Sequence, residues 1–255
     1  MTENDSKIAG AMLLAAKTLR EETESLALQR DITCVYNPLR YAWEPYSQYV
    51  NKWAGDRKKV LFLGMNPGPW GMAQVGVPFG EITLVREWIG VSGRISQPSI
   101  LHPKKPIMGF SCKRSEVSGR RLWSFFAEKF NSPDNFFKCH FVENYCPLLF
   151  MEENGKNRTP DKLPSEERER LYLTCDKHLR KIVNLLQPSW VVGIGAFAEK
   201  RATVALREFD SVNIARILHP SPASPAANRG WSSQAEQQLI QQGVWPLQDK
   251  VTYNV

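Results

Sequence analysis

Apolar positions along the chain follow two rhythms. Short, nearly continuous apolar runs with β-branched residues occur at "KKVLFLGM" (58–65), "SWVVGIG" (189–195) and "VNIARILHP" (212–220), the pattern of parallel strands buried on both faces. A fourth run, "KCHFVEN" (138–144), is more polar but occupies the corresponding place in the alternation. Helical spacing fills the intervals at 116–130, 164–187 and 197–207. The 164–187 segment opens on Pro164 and Ser165, carries acidic residues in its first turn, and has Lys177, Arg180 and Lys181 towards its end. Its Leu171, Cys175, Leu179, Ile182, Val183 and Leu186 form one stripe, which predicts a face packed on the core. Residues 1–30 alternate charged and apolar positions as an amphipathic helix does, and are expected to form an N-terminal helical extension. Strand and helix alternate throughout, so the chain reads as one α/β domain over 1–255 with right-handed crossovers, and no internal repeat divides it.

Composition adds limits. The 255 residues are 42% hydrophobic, ordinary for a globular chain with a core. No apolar run approaches the roughly 18 residues of a membrane span, and the first residues lack a small-residue cleavage site, so a soluble intracellular protein is expected. The cysteines, Cys34, Cys112, Cys139, Cys146 and Cys175, are odd in number, scattered and without a C-x-x-C pair. Reduced thiols are expected, with no metal site and no iron–sulfur cluster. The net charge of +7, from 33 basic and 26 acidic residues, suits a polyanionic partner as well as it suits a solvated basic surface.

In open α/β sheets ligands bind beyond the carboxyl ends of the strands. Those ends deliver Asn66 with the loop "NPGPWGMAQVGVPFG", Asn144, the turn "GIGAFA" (193–198) and His219. Three polar side chains able to meet at one edge predict a site, although either Asn alone would serve equally as a loop cap. "GIGAFA" matches the dinucleotide pattern G-x-G-x-x-A between a strand and a helix. The next strand, however, ends in His219 and not in an acidic ribose ligand, which disfavours that cofactor. Neither G-x-x-x-x-G-K-[ST] nor G-x-S-x-G occurs. The loop "HPSPASPAANRGW" (219–231) is stiffened by prolines and narrow in its small residues, a form able to wedge into a duplex or simply to lie fixed at the surface.

"YNPLRYAWEPYSQYV", "GMNPGPWGMAQVGVPFGE", "FVENYCPLLF" and "HPSPASPAANRGW", in that order, resemble the single-strand-selective monofunctional branch of the uracil-DNA glycosylase superfamily, over about residues 35 to 232. The resemblance implies a three-layer α/β/α fold around a four-stranded parallel sheet. It implies removal of uracil and 5-hydroxymethyluracil from single- and double-stranded DNA by hydrolysis, without a cofactor, by a monomer with no membrane association. It also implies roles: Asn66 positions water, His219 supports charge on the departing base, Asn144 reads the uracil edge and Phe79 stacks on its ring. Met65 and Gly68 contribute backbone contacts. Pro220, Ser221, Pro222, Ala223, Ser224 and Arg229 belong to the DNA-binding wedge loop and its flank. A nuclear location follows from the resemblance alone, or a cytoplasmic one for a bacterial chain, since the basic cluster "DRKKV" (56–60) is too short to argue from.

The glycines of 64–80 have a chemical reading beside the resemblance, since backbone that approaches a flipped nucleotide needs gaps where side chains would stand. At Gly68 the related GQDPYH branch carries Tyr against C5 of the base, so this chain is expected to leave an open, water-filled volume there. Relatives commonly carry Arg at the position of Ala223, and its absence shifts the filling of the vacated base stack to neighbouring residues and Arg229. A reading of another class, a non-catalytic nucleic-acid-binding domain on the same fold, shares the charge and the Phe79 platform but has no use for Asn66 and His219 together.

Overall fold

The computed structural model describes residues 3–26 and 32–247. In chain order the helices are α1 (Glu3–Glu24), α2 (Pro38–Tyr41), α3 (Trp43–Trp53), α4 (Met72–Val75), α5 (Ile82–Leu84), α6 (Val117–Phe130), α7 (Pro133–Phe137), α8 (Ser165–Leu186), α9 (Ala196–Ala205) and α10 (Trp231–Gln241). The strands are β1 (Cys34–Tyr36), β2 (Val60–Gly64), β3 (His140–Asn144), β4 (Leu149–Met151), β5 (Asn157–Arg158), β6 (Trp190–Ile194) and β7 (Asn213–Ile217).

Strands β3, β2, β6 and β7 pair in that order as one parallel sheet, with Gly64 beside Asn144 and Ile194 beside Ile217 at its carboxyl edge. The chain runs outward from β2 to β3 and then returns past β2 to β6, so the order reverses between β2 and β6 and opens a crevice at that edge. Phe62 points to one face, where its ring meets Phe126 at 5.0 Å and Trp245 at 6.5 Å under α6, α7 and α10. On the opposite face Phe141 stacks on Tyr49 of α3 at 5.0 Å, and α9 lies against β6 and β7. These are the three layers expected. Helix α1 packs along α8 and α3, and its Ala9, Met12, Ala16 and Leu19 belong to the main core. Part of the expected N-terminal extension, residues 1–2 and 27–30, lies outside the described residues.

Two strands differ from their apolar patterns. β3, the polar one, is fully buried, because His140 and Glu143 have partners that satisfy them, whereas Asn144 at its end keeps an unpartnered Oδ1. The His140 Nδ1 bonds the Phe136 carbonyl at 2.9 Å while its Nε2 accepts from Trp245 Nε1 at 3.1 Å. Glu143 accepts from the Tyr46 hydroxyl at 3.0 Å and from the Asn144 backbone N–H at 2.9 Å. The hydroxyl of Tyr49 donates to the Val142 carbonyl at 2.9 Å, so α3 closes a sheet edge that would otherwise present unpaired groups. β7, by contrast, exposes Asn213 and Arg216 and buries Ala215 and Ile217, as a strand at a sheet margin does.

A second, antiparallel sheet of β1, β4 and β5 was not anticipated by the strand pattern. Its β4–β5 hairpin turns at Asn154-Gly155, a strong short-range hairpin signal, with Gly155 at φ 84°. This hairpin carries Asn157 and Thr159 to the crevice.

Candidate active site

A cavity of about 300 Å³ lies at the crevice; Met65, Asn66, Gly68, Phe79, Asn144 and His219 all face it. The polar ends of β2, β3 and β7 thus meet at one place. The pairing of β2 with β3 continues beyond the strands, with Tyr145 N–H donating to the Gly64 carbonyl and Cys146 N–H to the Met65 carbonyl, both at 2.9 Å. Asn66 and Asn144 are therefore held on adjacent, hydrogen-bonded segments.

Asn66 Nδ2 donates to the Leu148 carbonyl at 3.0 Å, which turns the amide so that Oδ1 is left to accept from a molecule in the cavity. Asn144 is buried, and its Nδ2 lies 3.2 Å from the Met72 sulfur. Its Oδ1 is buried with no hydrogen-bond partner. A buried carbonyl oxygen without a donor costs about 1–3 kcal/mol, so Asn144 Oδ1 is placed to accept from a ligand N–H.

Phe79 stands at φ 53°, a conformation rare for a residue with a side chain, and its ring lies 6.0 Å from that of His219. Two glycines make this possible. A Cβ at Gly119 would lie 2.0 Å from the Phe79 carbonyl oxygen, and one at Gly64 would lie 2.1 Å from Asn144 Oδ1 and 2.4 Å from the Phe79 ring. Trp123 Nε1 donates to the Pro78 carbonyl at 3.2 Å, so α6 clamps the aromatic platform from behind.

His219 follows β7 and is mostly buried; desolvation pushes its pKa down to about 4, leaving a neutral imidazole at physiological pH. The "GIGAFA" turn serves to seat it. Gly195, at φ 93°, presents its bare Cα to the His219 side chain, where an added Cβ would approach to 3.1 Å. In a nuclear magnetic resonance titration the His219 ring signals should stay constant between about pH 5.5 and 8, since the charged form is excluded until well below the unperturbed value of about 6.5. A midpoint near 6.5 would show the ring to be solvated and charged in acid.

Several pocket residues escaped the sequence reading. Glu116, just before α6, faces the cavity, and burial raises its pKa while the neighbouring Lys105 opposes that rise. One of its oxygens accepts from the Trp70 N–H at 3.2 Å. A Cβ at Gly68 would lie 2.5 Å from Glu116 Oε2, so the volume expected to stand open before Gly68 is taken by this carboxyl. Ser118, Asn157 and Thr159 complete the rim. The one signal that pointed to α6 was Gly119 inside a helix, a residue that costs about 1 kcal/mol relative to Ala there and so implies close approach. Gln74 braces the outer wall, donating to the Pro69 and Pro106 carbonyls and accepting from the Met108 and Gly109 N–H groups.

The "HPSPASPAANRGW" loop borders the cavity through Ser221. Pro220 is buried, Ser224 is half-buried, and Pro222, Ala223 and Arg229 are exposed. Arg121 of α6 donates to the Pro220 and Ser221 carbonyls and to Asn228 Oδ1, and Asn228 donates to the Pro222 carbonyl. Lys105 and Arg114 lie 4.5 and 4.6 Å from the ring of Trp70, whose backbone N–H holds Glu116, and add cationic charge and an aromatic surface near that residue. The "YNPLRYAWEPYSQYV" segment contributes scaffold: Asn37 caps α2, and the Tyr41 hydroxyl donates to the Ala73 carbonyl at 2.7 Å. Among the described residues no group of three His, Cys, Asp or Glu side chains is placed to hold a metal ion, and no helix is long and apolar enough to cross a membrane.

A Bos taurus protein described as a single-strand selective monofunctional uracil DNA glycosylase is 46% identical over 241 residues, 94% of this chain and 89% of its own. A Rattus norvegicus protein of the same description is 47% identical over 230 residues, covering 90% and 83%. The likeness thus extends beyond the span of the four motifs. Among solved structures, that of wild-type Pedobacter heparinus SMUG2 superimposes with a TM-score of 0.60 at 19% identity, over 88% of this chain and 94% of that one, which shows a common fold. The sequence profile of the Uracil DNA glycosylase superfamily matches residues 52–242, which include every residue of the cavity described above, and on that match and those identities the chain belongs to the uracil DNA glycosylase superfamily.

Proposed function

We propose that the cavity receives a uracil flipped out of DNA and that the protein hydrolyses its N-glycosidic bond, leaving an abasic site. The observation that carries this reading is the unpartnered, buried Oδ1 of Asn144 beside the Phe79 ring, in a cavity that His219 also lines. Uracil stacked on Phe79 presents N3–H to Asn144 Oδ1 and O4 to Nδ2, a donor–acceptor order that cytosine reverses. Base–aromatic stacking adds roughly 1–3 kcal/mol.

As the bond breaks, the sugar gains oxocarbenium character and uracil leaves as an anion. A neutral His219 placed by burial donates a hydrogen bond to the oxygen on which that charge develops, and the low dielectric strengthens the interaction. Asn66 is too weak a base to take a proton, so its free Oδ1 orients water towards the sugar carbon. Excision therefore depends on leaving-group stabilisation more than on activation of water. The substrate range extends to 5-hydroxymethyluracil and to both single- and double-stranded DNA, a reading supported by the resemblance.

Incubation with a single-stranded oligonucleotide carrying one uracil, followed by hot alkali, should cut the strand at that position. Intact binding without cleavage would instead identify a nucleic-acid-binding module. Ala223 sits exposed on the loop beside the cavity, and flipping from a duplex costs a few kcal/mol more than from a single strand. Ala223→Arg, which supplies a plug for the vacated stack, is expected to raise duplex excision by about tenfold relative to single-strand excision. An unchanged ratio would mean that this part of the loop stays outside the helix.

A further inference from the structure

The carboxyl of Glu116 has no assigned part in the reaction, yet two glycines make room for it. Added Cβ atoms at Gly68 and Gly71 would lie 2.5 Å from its Oε2 and 3.0 Å from its Cγ. The Trp70 N–H between them donates to Oε2 at 3.2 Å. Only that one hydrogen bond is made to the carboxyl by the protein's described residues, which leaves Oε1 without a donor on a residue that lines the cavity. Burying a carboxyl with half its acceptor capacity unused is costly unless a donor from the ligand completes it.

Its place on the cavity wall follows from the neighbours. Asn144 Nδ2, which meets O4 of a bound uracil, lies 3.2 Å from the Met72 sulfur. Met72 opens α4, whose Ala73 N–H donates to the Gly68 carbonyl at 3.2 Å. Asn144, Met72, Gly68 and Glu116 therefore form one continuous strip of the wall. Ring position C5 adjoins the carbon bearing O4 on the side away from N3, so it faces the Gly68–Glu116 end of the strip.

We propose that Glu116 is the specificity-determining residue for the C5 substituent, accepting a hydrogen bond from the hydroxyl of a 5-hydroxymethyl group. This rests on the reading of the cavity as a uracil site. A methyl group at C5 offers no donor and would desolvate the carboxyl without compensation, so thymine is refused by the cost of an unpaired acceptor as well as by bulk. A 5-formyl group presents only an acceptor and meets the carboxylate oxygen unfavourably.

The test compares single-turnover excision of uracil, 5-hydroxymethyluracil and 5-formyluracil in one single-stranded sequence. Glu116→Gln keeps an oxygen for the Trp70 N–H and turns an amide donor into the cavity. It should raise 5-formyluracil relative to 5-hydroxymethyluracil by about tenfold over the parent, with uracil excision within about threefold of it. Comparing variant with parent cancels the different intrinsic leaving-group reactivities of the bases. Glu116→Ala, which supplies neither donor nor acceptor, should lower 5-hydroxymethyluracil relative to uracil by about tenfold and keeps the proposal testable if the Gln variant folds poorly. Retained uracil excision with both ratios unmoved would overturn the role of Glu116. A parent protein that excises no uracil would instead overturn the glycosylase reading on which it rests.

Discussion

His219→Ala is expected to lower single-turnover uracil excision by about 10²- to 10³-fold, the loss that follows removal of one preorganised donor to a developing anion, ~2.7–4 kcal/mol. Asn66→Ala should lose a comparable factor, because water is then no longer held towards the sugar. Neither change should weaken DNA binding more than about threefold, since both groups act chiefly in the transition state. His219 is suited to this role because burial keeps it neutral, with a pKa of about 4, and so able to donate without requiring a counter-charge. Asn66, its amide oriented by the bond to the Leu148 carbonyl, offers its oxygen to water. Near-parental rates in either variant would remove that residue from the mechanism.

Asn144→Asp should abolish uracil excision, by about 10³-fold or more, because a site built around a specific hydrogen-bond pattern rejects a ligand that leaves its polar groups unpaired. The carboxylate would put an acceptor where Nδ2 now donates, opposite O4. In its minor protonated form the same carboxyl offers O–H to cytosine N3 and C=O to the cytosine amine, so only a trace of cytosine excision should appear. Both rates are measurable on oligonucleotides that differ only in the target base. Uracil excision at the parental rate would show that another group reads the edge.

The sheet and its three main helices were legible because their signals are local: apolar runs for β2 and β6, a 3.6-residue stripe for α8. All six positions of that stripe are buried. Asn66, Asn144, Phe79 and His219 were found by combining strand-end logic with the family motifs, and the structure brings all four to one cavity. Glu116 was not legible, for a physical reason. Its role depends on approach between segments 46 and 48 residues apart, and a single Glu before a helix reads as ordinary N-terminal charge. Gly68 misled in the complementary way, because a missing side chain signals space without saying what fills it. Helix α3 was obscured by Pro45 and by tyrosines whose hydroxyls serve β3, so its stripe mixes apolar bodies with polar tips.

Helix α6 carries Gly119 against Phe79, Trp123 against Pro78 and Arg121 against both arms of the 219–231 loop, with Glu116 at its entry. The parts proposed as base platform, C5 wall and wedge are thus mounted on one helix. On the proposed function, pressure of DNA on the loop would pass through Arg121 to the helix that backs the ring of Phe79, so that prying the strand and gripping the base would be a single stroke. A crosslink tying the loop to α6 would therefore leave the enzyme working, whereas a flexible insertion that uncoupled the loop from α6 would let the strand bend without the base being caught.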